Sequence, residues 1–200
     1  DEVVVIAVVS KTVMPMRVPT GQVFSNKIIV FATDSYSEQA VLSSSIHQVW
    51  VIKYTATMRT DVSYSPSDVF LTFPRPKPTE RLAEAGRMLD NERREIMLRR
   101  EFGLTKLYNL VNDPDYADVD VDRMRQIHVE LDKAVLDAYG WGDVELDHGF
   151  HTYRKMERWT VSPAARVEIL DRLLSENLRR GDAQGEAPPP AEDEDEGDDE

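Results

Sequence analysis

Cysteine is absent from this chain of 200 residues, which excludes a disulfide framework and any metal site built on thiolates. Long apolar runs are absent as well: the longest, residues 3–9 and 28–32, are far too short to cross a bilayer. The start has neither a basic segment nor a signal-peptide cleavage site. We therefore expect a cytoplasmic protein with no membrane partner.

A surplus of basic residues is also missing. The net charge of -13 at first sight argues against a nucleic-acid partner, because phosphates are normally bound by clustered Lys and Arg. The charge is unevenly distributed, however. Ten acidic and no basic residues follow Gly181, so residues 1–180 carry only -3, and residues 1–78 carry seven bases against six acids. A DNA-facing surface in the first segment is therefore permitted, although charge alone does not predict one.

The acidic end, residues 181–200, has no side chain suited to filling a core, and its like charges repel, which predicts a disordered tail. A solvated end that aids solubility is one interpretation. The other is a competitor that screens a DNA-binding face against non-specific contacts. The chain opens with Asp rather than Met and runs directly into an apolar segment, so we also expect it to be a piece of a longer protein.

The first half shows strand patterns around one helical pattern. Residues 3–9 and 27–32 are β-branched runs bounded by turn-forming residues, as buried strands are. Between residues 37 and 53 the apolar positions recur at spacings of three and four, which predicts a helix packed on that sheet. Residues 55–60 and 68–72 are predicted as further strands, and the prolines at 74, 76 and 78 then end regular structure.

After the proline run the pattern becomes helical. Helices are predicted from Thr79, as a cap, to residue 102 with Gly103 as the stop, over residues 104–111, and from an Asp120 cap to Gly140. A last helix opens at Ser162-Pro163. The residues predicted to face inward from it are Val167, Leu170, Leu174 and Leu178.

These patterns predict an α+β fold with three parts. A small mixed β/α domain covers residues 1–78, a helical bundle covers residues 79–180, and the disordered acidic tail covers residues 181–200. No fixed-period repeat is visible, which argues against a solenoid.

Three motifs of the first half stand in a fixed order: Leu-Ser-Ser-Ser-Ile-His-Gln-Val-Trp at residues 42–50, Tyr-Ser at 64–65, and Thr-Phe-Pro at 72–74. The helical half adds Leu-Thr-Lys-Leu-Tyr-Asn at residues 104–109 and a stretch from 128 that ends in Tyr-Gly-Trp. In order and spacing the chain resembles the target-recognition domain and C-terminal helical region of type IIG and IIL restriction-modification adenine-specific DNA methyltransferases, or of a related phage-defence methyltransferase.

This resemblance implies sequence-specific recognition of double-stranded DNA. The parent protein would be an adenine-specific, S-adenosylmethionine-dependent methyltransferase, with or without an endonuclease, and its N-terminal methyltransferase domain would be the partner of this chain. The family's Asn-Pro-Pro-Tyr or Phe tetrapeptide and its Gly-rich cofactor loop do not occur in the sequence. We therefore expect this piece to be non-catalytic and to hold no cofactor itself. Residues 112–116, Asn-Asp-Pro-Asp-Tyr, resemble the tetrapeptide only superficially and are predicted as a turn.

Candidate DNA contacts are polar side chains of the first half that lie near the matched motifs. Arg59 ranks first, because a guanidinium can donate twice to guanine. Its neighbours Thr57, Asp61 and Ser63 follow. The candidates for phosphate or base contact elsewhere are Lys53, Ser44, Lys27, Arg17 and Lys11.

Other clusters favour structural interpretations. Asp147, His148 and His151 are too few for a metal site without cysteine, so no metal is expected. His47 is interpreted as a packed imidazole. The arginines of the first long helix, at positions 93, 94, 99 and 100, are interpreted as a solvated face, with phosphate contact as the alternative. For the whole chain, the competing hypothesis is a non-catalytic protein-interaction module whose acidic tail binds a partner or mimics DNA.

Overall fold

The computed structural model describes residues 1–55, 57–58, 61–153 and 156–185, and the side chains of residues 57, 58, 184 and 185 lie outside that description. The first half contains β1 (Glu2–Ala7), β2 (Val9–Ser10), β3 (Met16–Pro19), β4 (Ile28–Phe31), α1 (Tyr36–Ser43), α2 (Ser45–Tyr54), β5 (Thr57–Met58), β6 (Asp61–Ser63) and a π-helical turn (Pro66–Phe70). The second half contains α3 (Glu80–Arg100), α4 (Leu104–Val111), α5 (Val119–Tyr139), β7 (Gly149–Tyr153), β8 (Met156–Thr160) and α6 (Pro163–Gly185). The predicted α+β class is confirmed.

The strands form three small antiparallel sheets. In the first, with the order β3-β1-β4, Val4 lies opposite Arg17 on one side and Phe31 on the other. The second has the order β2-β6-β5, and β7 and β8 form a hairpin. Val8 joins the first two sheets, because its N–H donates to the Lys27 carbonyl at 2.9 Å and its own carbonyl accepts from the Tyr64 N–H at 2.7 Å.

The single helix predicted over residues 37–53 is two helices, broken at Ser44. That residue has extended backbone angles (φ -77°, ψ 155°) and caps α2. Its hydroxyl donates to the Val41 carbonyl at 2.7 Å and accepts from the His47 N–H at 3.2 Å, so one side chain ends the first helix and begins the second. Serine is able to do this because its hydroxyl competes with the helical backbone for hydrogen bonds.

The structure differs from the sequence-based expectation at three other places: one predicted strand is wrong, and one strand and one hairpin were not predicted. The strand predicted over residues 68–72 is wrong: Pro66 starts a π-helical turn there, in which Val69 is buried. Strand β3 was not predicted, and neither was the hairpin β7–β8. The hairpin escapes sequence reasoning because its strands carry aromatic and charged side chains rather than an alternating apolar pattern.

The helices of the second half begin and end close to the predicted residues. Thr79 caps α3 by accepting from the Leu82 N–H at 3.2 Å, as predicted. The helix ends on Glu101 in the left-handed region (φ 52°), and Gly103 begins α4 instead of stopping α3. Asp118, two residues before the predicted cap, caps α5, and Gly140 ends it at φ 76° as predicted.

Helix α6 opens at Ser162-Pro163 as predicted, but its buried face is rotated from the predicted one. Of the four residues predicted to face inward, Leu170 and Leu174 are partly buried and pack against the core, whereas Val167 and Leu178 are 64% and 66% exposed. The fully buried residues of this helix include Ile169 and Leu173. The error is one of phase within an amphipathic pattern. The helix extends to Gly185, five residues into the segment predicted to be disordered, and residues 186–200 lie outside the described part of the chain.

One hydrophobic core spans the two halves, and its buried side chains include Ile46 from α2, Leu89 from α3 and Leu131 from α5. Helix α1 packs on α3 where Gly86 meets Tyr36, so closely that a Cβ at position 86 would overlap the Tyr36 carbonyl oxygen. The division into domains at residue 78 stays a prediction. No helix in the described segments is long and apolar enough to cross a membrane.

Candidate nucleic-acid interface

The three sequence motifs of the first half meet in one buried cluster. His47 Nε2 lies 3.0 Å from the Tyr64 hydroxyl, and the His47 ring packs against Phe73 with 4.7 Å between centroids. Trp50 Nε1 donates to the Thr72 hydroxyl at 3.3 Å. Residues far apart in the sequence thus hold α2 against the segment that leaves the first half. The motifs that carry the resemblance therefore build the framework of this region.

His47 is packed, as predicted, and it is fully buried, with 0% exposed surface. Burial lowers its pKa to about 3, with a smaller contribution from the positive charge of Arg75, so the imidazole is neutral. Burial likewise raises the pKa of Tyr64. In the described part of the chain, His47 Nδ1 has no hydrogen-bond partner. A neutral, fully enclosed ring can neither take a proton from DNA nor reach a phosphate.

The start of α2 is also held by the second half of the chain. The carboxylate of Asp132, on α5, accepts from the Ser45 N–H at 2.7 Å and from His148 at 2.8 Å. Asp132 is fully buried, and it lies where a helix N-terminus favours negative charge. The carboxylate therefore connects α2, α5 and the loop before β7.

The second sheet brings together several of the predicted DNA contacts. Strand β6 carries Asp61 and Ser63, both partly exposed, and Ser63 lies opposite Val9, two residues before Lys11. Thr57, on the neighbouring strand β5, lies opposite Val62 of β6, although the side chain of Thr57 is not described. Arg59, the first-ranked candidate, lies outside the described residues.

The other candidates divide into exposed and buried side chains. Lys11, Lys27 and Lys53 are exposed, Lys53 being in the last turn of α2. Ser44 is buried and engaged in capping α2. Arg17 is buried too, donating to Glu2 at 3.1 Å and to the Asp34 carbonyl at 2.7 Å. The last two side chains are therefore occupied within the protein.

Sequence reasoning missed Arg158, on β8. It is 9% exposed, lies opposite His151 in the hairpin, and donates a hydrogen bond to the hydroxyl of Thr12. Burial lowers its pKa, and attraction to Asp61 partly opposes that effect. Nothing local in the sequence points to this contact, because it joins residues 146 positions apart.

A groove of about 730 Å³ runs between the first two sheets, α4 and β8. The polar side chains in its lining include Lys11, Thr12, Asn109 and Arg158, and the apolar ones include Met14 and Met156. The exposed Lys11 and Asn109 are able to donate to phosphate or base oxygens. Strand β2 lines the groove and pairs with β6, so the groove adjoins the face of the second sheet that carries Asp61 and Ser63.

The remaining clusters are structural. His148 binds Asp132, while His151 Nε2 lies 3.0 Å from the Asp147 carbonyl. No group of three potential metal ligands occurs among the described residues. Residues 112–116 form the predicted turn, whose carbonyls at Asp113 and Tyr116 accept from Arg125 at 2.8 and 3.1 Å.

The solvated-face interpretation is wrong for Arg93. Its side chain is buried and donates to the Pro15 carbonyl at 2.8 Å. Further along α3, Arg100 donates to Asp118 at 2.7 Å and to Asp120 at 2.6 Å, joining the end of α3 to the start of α5. Arg93 therefore holds α3 to the first half of the chain, and Arg100 holds α3 to α5.

Comparison with known proteins gives two matches. Residues 2–77 match the family model described as "MmeI, target recognition domain". The fold is similar to a solved structure entitled "Structure of Type IIL restriction-modification enzyme MmeI in complex with DNA has implications for engineering of new specificities", with a TM-score of 0.62 and 19% identity. That match covers 90% of this chain and 21% of the other, so this chain spans about a fifth of the solved protein. No curated protein matches. The resemblance to a target-recognition domain that was stated from the sequence is confirmed for residues 2–77, while the adenine-specific methyltransferase that it implies stays a prediction.

Proposed function

We propose that this chain recognises a specific sequence of double-stranded DNA. The proposal starts from the similarity of residues 2–77 to the target recognition domain of a type IIL restriction-modification enzyme. The observation that carries the proposal is the family-model match, supported by a similar fold over 90% of the chain. The solved structure is that of the enzyme MmeI in complex with DNA.

The surface that supports this function is the exposed face of the sheet β2-β6-β5 and the groove beside it. Asp61 and Ser63 on β6 are polar, partly exposed and paired into a sheet, so their positions are fixed by main-chain hydrogen bonds. Side chains of this kind read base edges in the major groove. The exposed Lys11, in the groove lining, and the exposed Lys27 supply positive charge, and phosphate contacts fix register without reading sequence.

We further propose that the parent protein is an adenine-specific, S-adenosylmethionine-dependent methyltransferase of a restriction-modification or phage-defence system, located in the cytoplasm. The support is the order of sequence motifs at residues 42–50, 64–65 and 72–74. A target adenine must leave the base stack to be methylated, so a catalytic domain holds the cofactor and the flipped base while a separate domain reads the neighbouring bases. This chain lacks the Gly-rich loop for that cofactor, and the N-terminal methyltransferase domain would supply it.

Selection from a randomised duplex library tests the function. The full chain is immobilised, the library is washed over it in a series of salt concentrations, and the retained duplexes are sequenced. We expect a discrete short motif, with affinity that falls steeply as salt rises. Retention without a motif, or no retention at all, would overturn the proposal.

A protein-interaction module is the second candidate, and the ten acidic residues after Gly181 are the observation that favours it. The same selection on a chain that ends at Gly185, the last residue of α6, distinguishes the two. A recognition domain gives the same motif with and without the acidic end. An interaction module gives no motif in either form.

A further inference from the structure

Arg158 is a buried arginine on the hairpin. Neither the folding of the hairpin nor a direct phosphate contact explains why an arginine is buried at this position. Its guanidinium donates to the Thr12 hydroxyl and lies near the Met156 sulfur, at 3.7 Å. No carboxylate lies within salt-bridge distance of it among the residues that the structure describes. Burying a cation without a paired anion is costly, so an apolar side chain would stabilise the same strand more effectively.

The hydrogen bond of Arg158 to Thr12 lies beside the proposed DNA-reading face, which Asp61 and Ser63 form on β6. Thr12 directly follows Lys11 and lies two residues beyond the end of β2, the strand that pairs with β6. The charge of Asp61, on β6, attracts the same guanidinium. Arg158 therefore contacts a polar residue next to this face from a hairpin in the other half of the chain.

Direct contact with DNA is a weaker explanation for this arginine. With 9% of its surface exposed, the side chain has little area to offer a phosphate. The exposed Lys11, in the same groove, is better placed for that role. The guanidinium is already committed to a hydroxyl inside the protein.

We propose that Arg158 is a positioning residue, which fixes the Lys11–Thr12 segment and strand β6 in the arrangement that reads DNA sequence. The hairpin β7–β8 is thereby part of the recognition apparatus although it lies outside the residues matched to the recognition domain. This inference rests on the proposed function. It assigns sequence selectivity, rather than affinity for phosphate, to a contact between the two halves of the chain.

The test compares Arg158→Met and Thr12→Val with the unchanged full chain. Each variant is measured for affinity to the selected duplex and to a scrambled duplex, over a salt series. We expect the ratio of the two affinities to fall at least tenfold in both variants, while the slope of affinity against salt stays the same. The double variant should lose no more than either single variant, because both remove one contact.

Arg172→Met is the control. Arg172, on α6, is partly buried and donates to the carboxylates of Glu168 and Asp143, and these three residues belong neither to the hairpin nor to the groove lining. Unfolding by urea establishes that each variant is folded at the assay temperature. The control should keep its selectivity.

The outcomes separate the two proposals. If the unchanged chain selects no motif, the proposed function fails and this inference fails with it. If the unchanged chain selects a motif and Arg158→Met selects it equally well, only this inference is overturned. A salt slope reduced by about one counterion would instead identify a direct phosphate contact, and equal loss in Arg172→Met would identify a general effect of destabilisation.

Discussion

The buried imidazole of His47 predicts how the fold responds to acid. Its pKa is about 3 in the folded chain, against 6.5 for an exposed histidine. The folded state therefore binds the proton less tightly than the unfolded state. Its contribution to stability is complete above pH 6.5 and is lost as the pH falls toward 3.

The two pKa values set the size of this effect. Between pH 7 and pH 5 the unfolded chain gains most of a proton at this position and the folded chain gains almost none, so the free energy of unfolding falls by about 2 kcal/mol. Burial lowers the pKa of His128 to about 4, and the negative charge of Asp132 partly opposes this shift. His128 therefore also makes the folded state less stable as the pH falls. A comparison with a variant is therefore needed to isolate His47.

His47→Gln is the informative variant, because an amide keeps a polar group facing the Tyr64 hydroxyl and does not titrate in this range. Urea unfolding at pH 7 and pH 5 gives the loss of stability for each protein. We expect the loss to be about 2 kcal/mol smaller in the variant, whatever its stability at pH 7. Equal losses in the two proteins would refute the burial of a neutral imidazole at this position.

The remaining predictions concern packing, the buried carboxylate and DNA binding. Gly86→Ala should destabilise the fold by about 1–3 kcal/mol, because the added methyl group overlaps the Tyr36 carbonyl. Urea unfolding measures this, and a midpoint equal to that of the unchanged chain would contradict the close approach of Gly86 to Tyr36. Asp132→Asn should lower the free energy of unfolding by about 2 kcal/mol, because the new amide is buried and mispaired. The substitution Lys133→Gln, at the exposed neighbouring position, should leave the free energy of unfolding nearly unchanged. Thermal unfolding measures both, and equal effects would argue against the buried network. Lys11→Gln should weaken DNA binding equally for selected and scrambled duplexes and reduce the salt slope by about one; loss confined to the selected duplex would show that Lys11 reads bases.

Much of the second half could be predicted because its signals are local. Thr79 precedes an amphipathic run and caps it, and Gly140 ends α5 in a left-handed conformation that glycine adopts at no steric cost. The break at Ser44 could not be predicted, since the apolar spacing continues across it. Ser44 itself caps the new helix, and the carboxylate of Asp132, from the second half of the chain, accepts from the N–H of the next residue, Ser45.

The candidate site was only partly predictable, for a similar reason. Residue type and proximity to a motif indicated Asp61 and Ser63, which the central strand of the second sheet does present on one partly exposed face. The same criteria also selected Arg17, whose side chain is buried against Glu2. Exposure depends on the tertiary fold, and so does the contact of Arg158 with the groove.

The central claim is that this chain reads DNA sequence, and the affinity ratio between a selected duplex and its scrambled counterpart tests it most directly. The measurement uses the full chain at physiological salt, with the duplexes matched in length and composition. The account predicts a ratio on the order of 10³, as for specific DNA-binding proteins generally. A ratio near one, with both affinities falling together as salt rises, would contradict it.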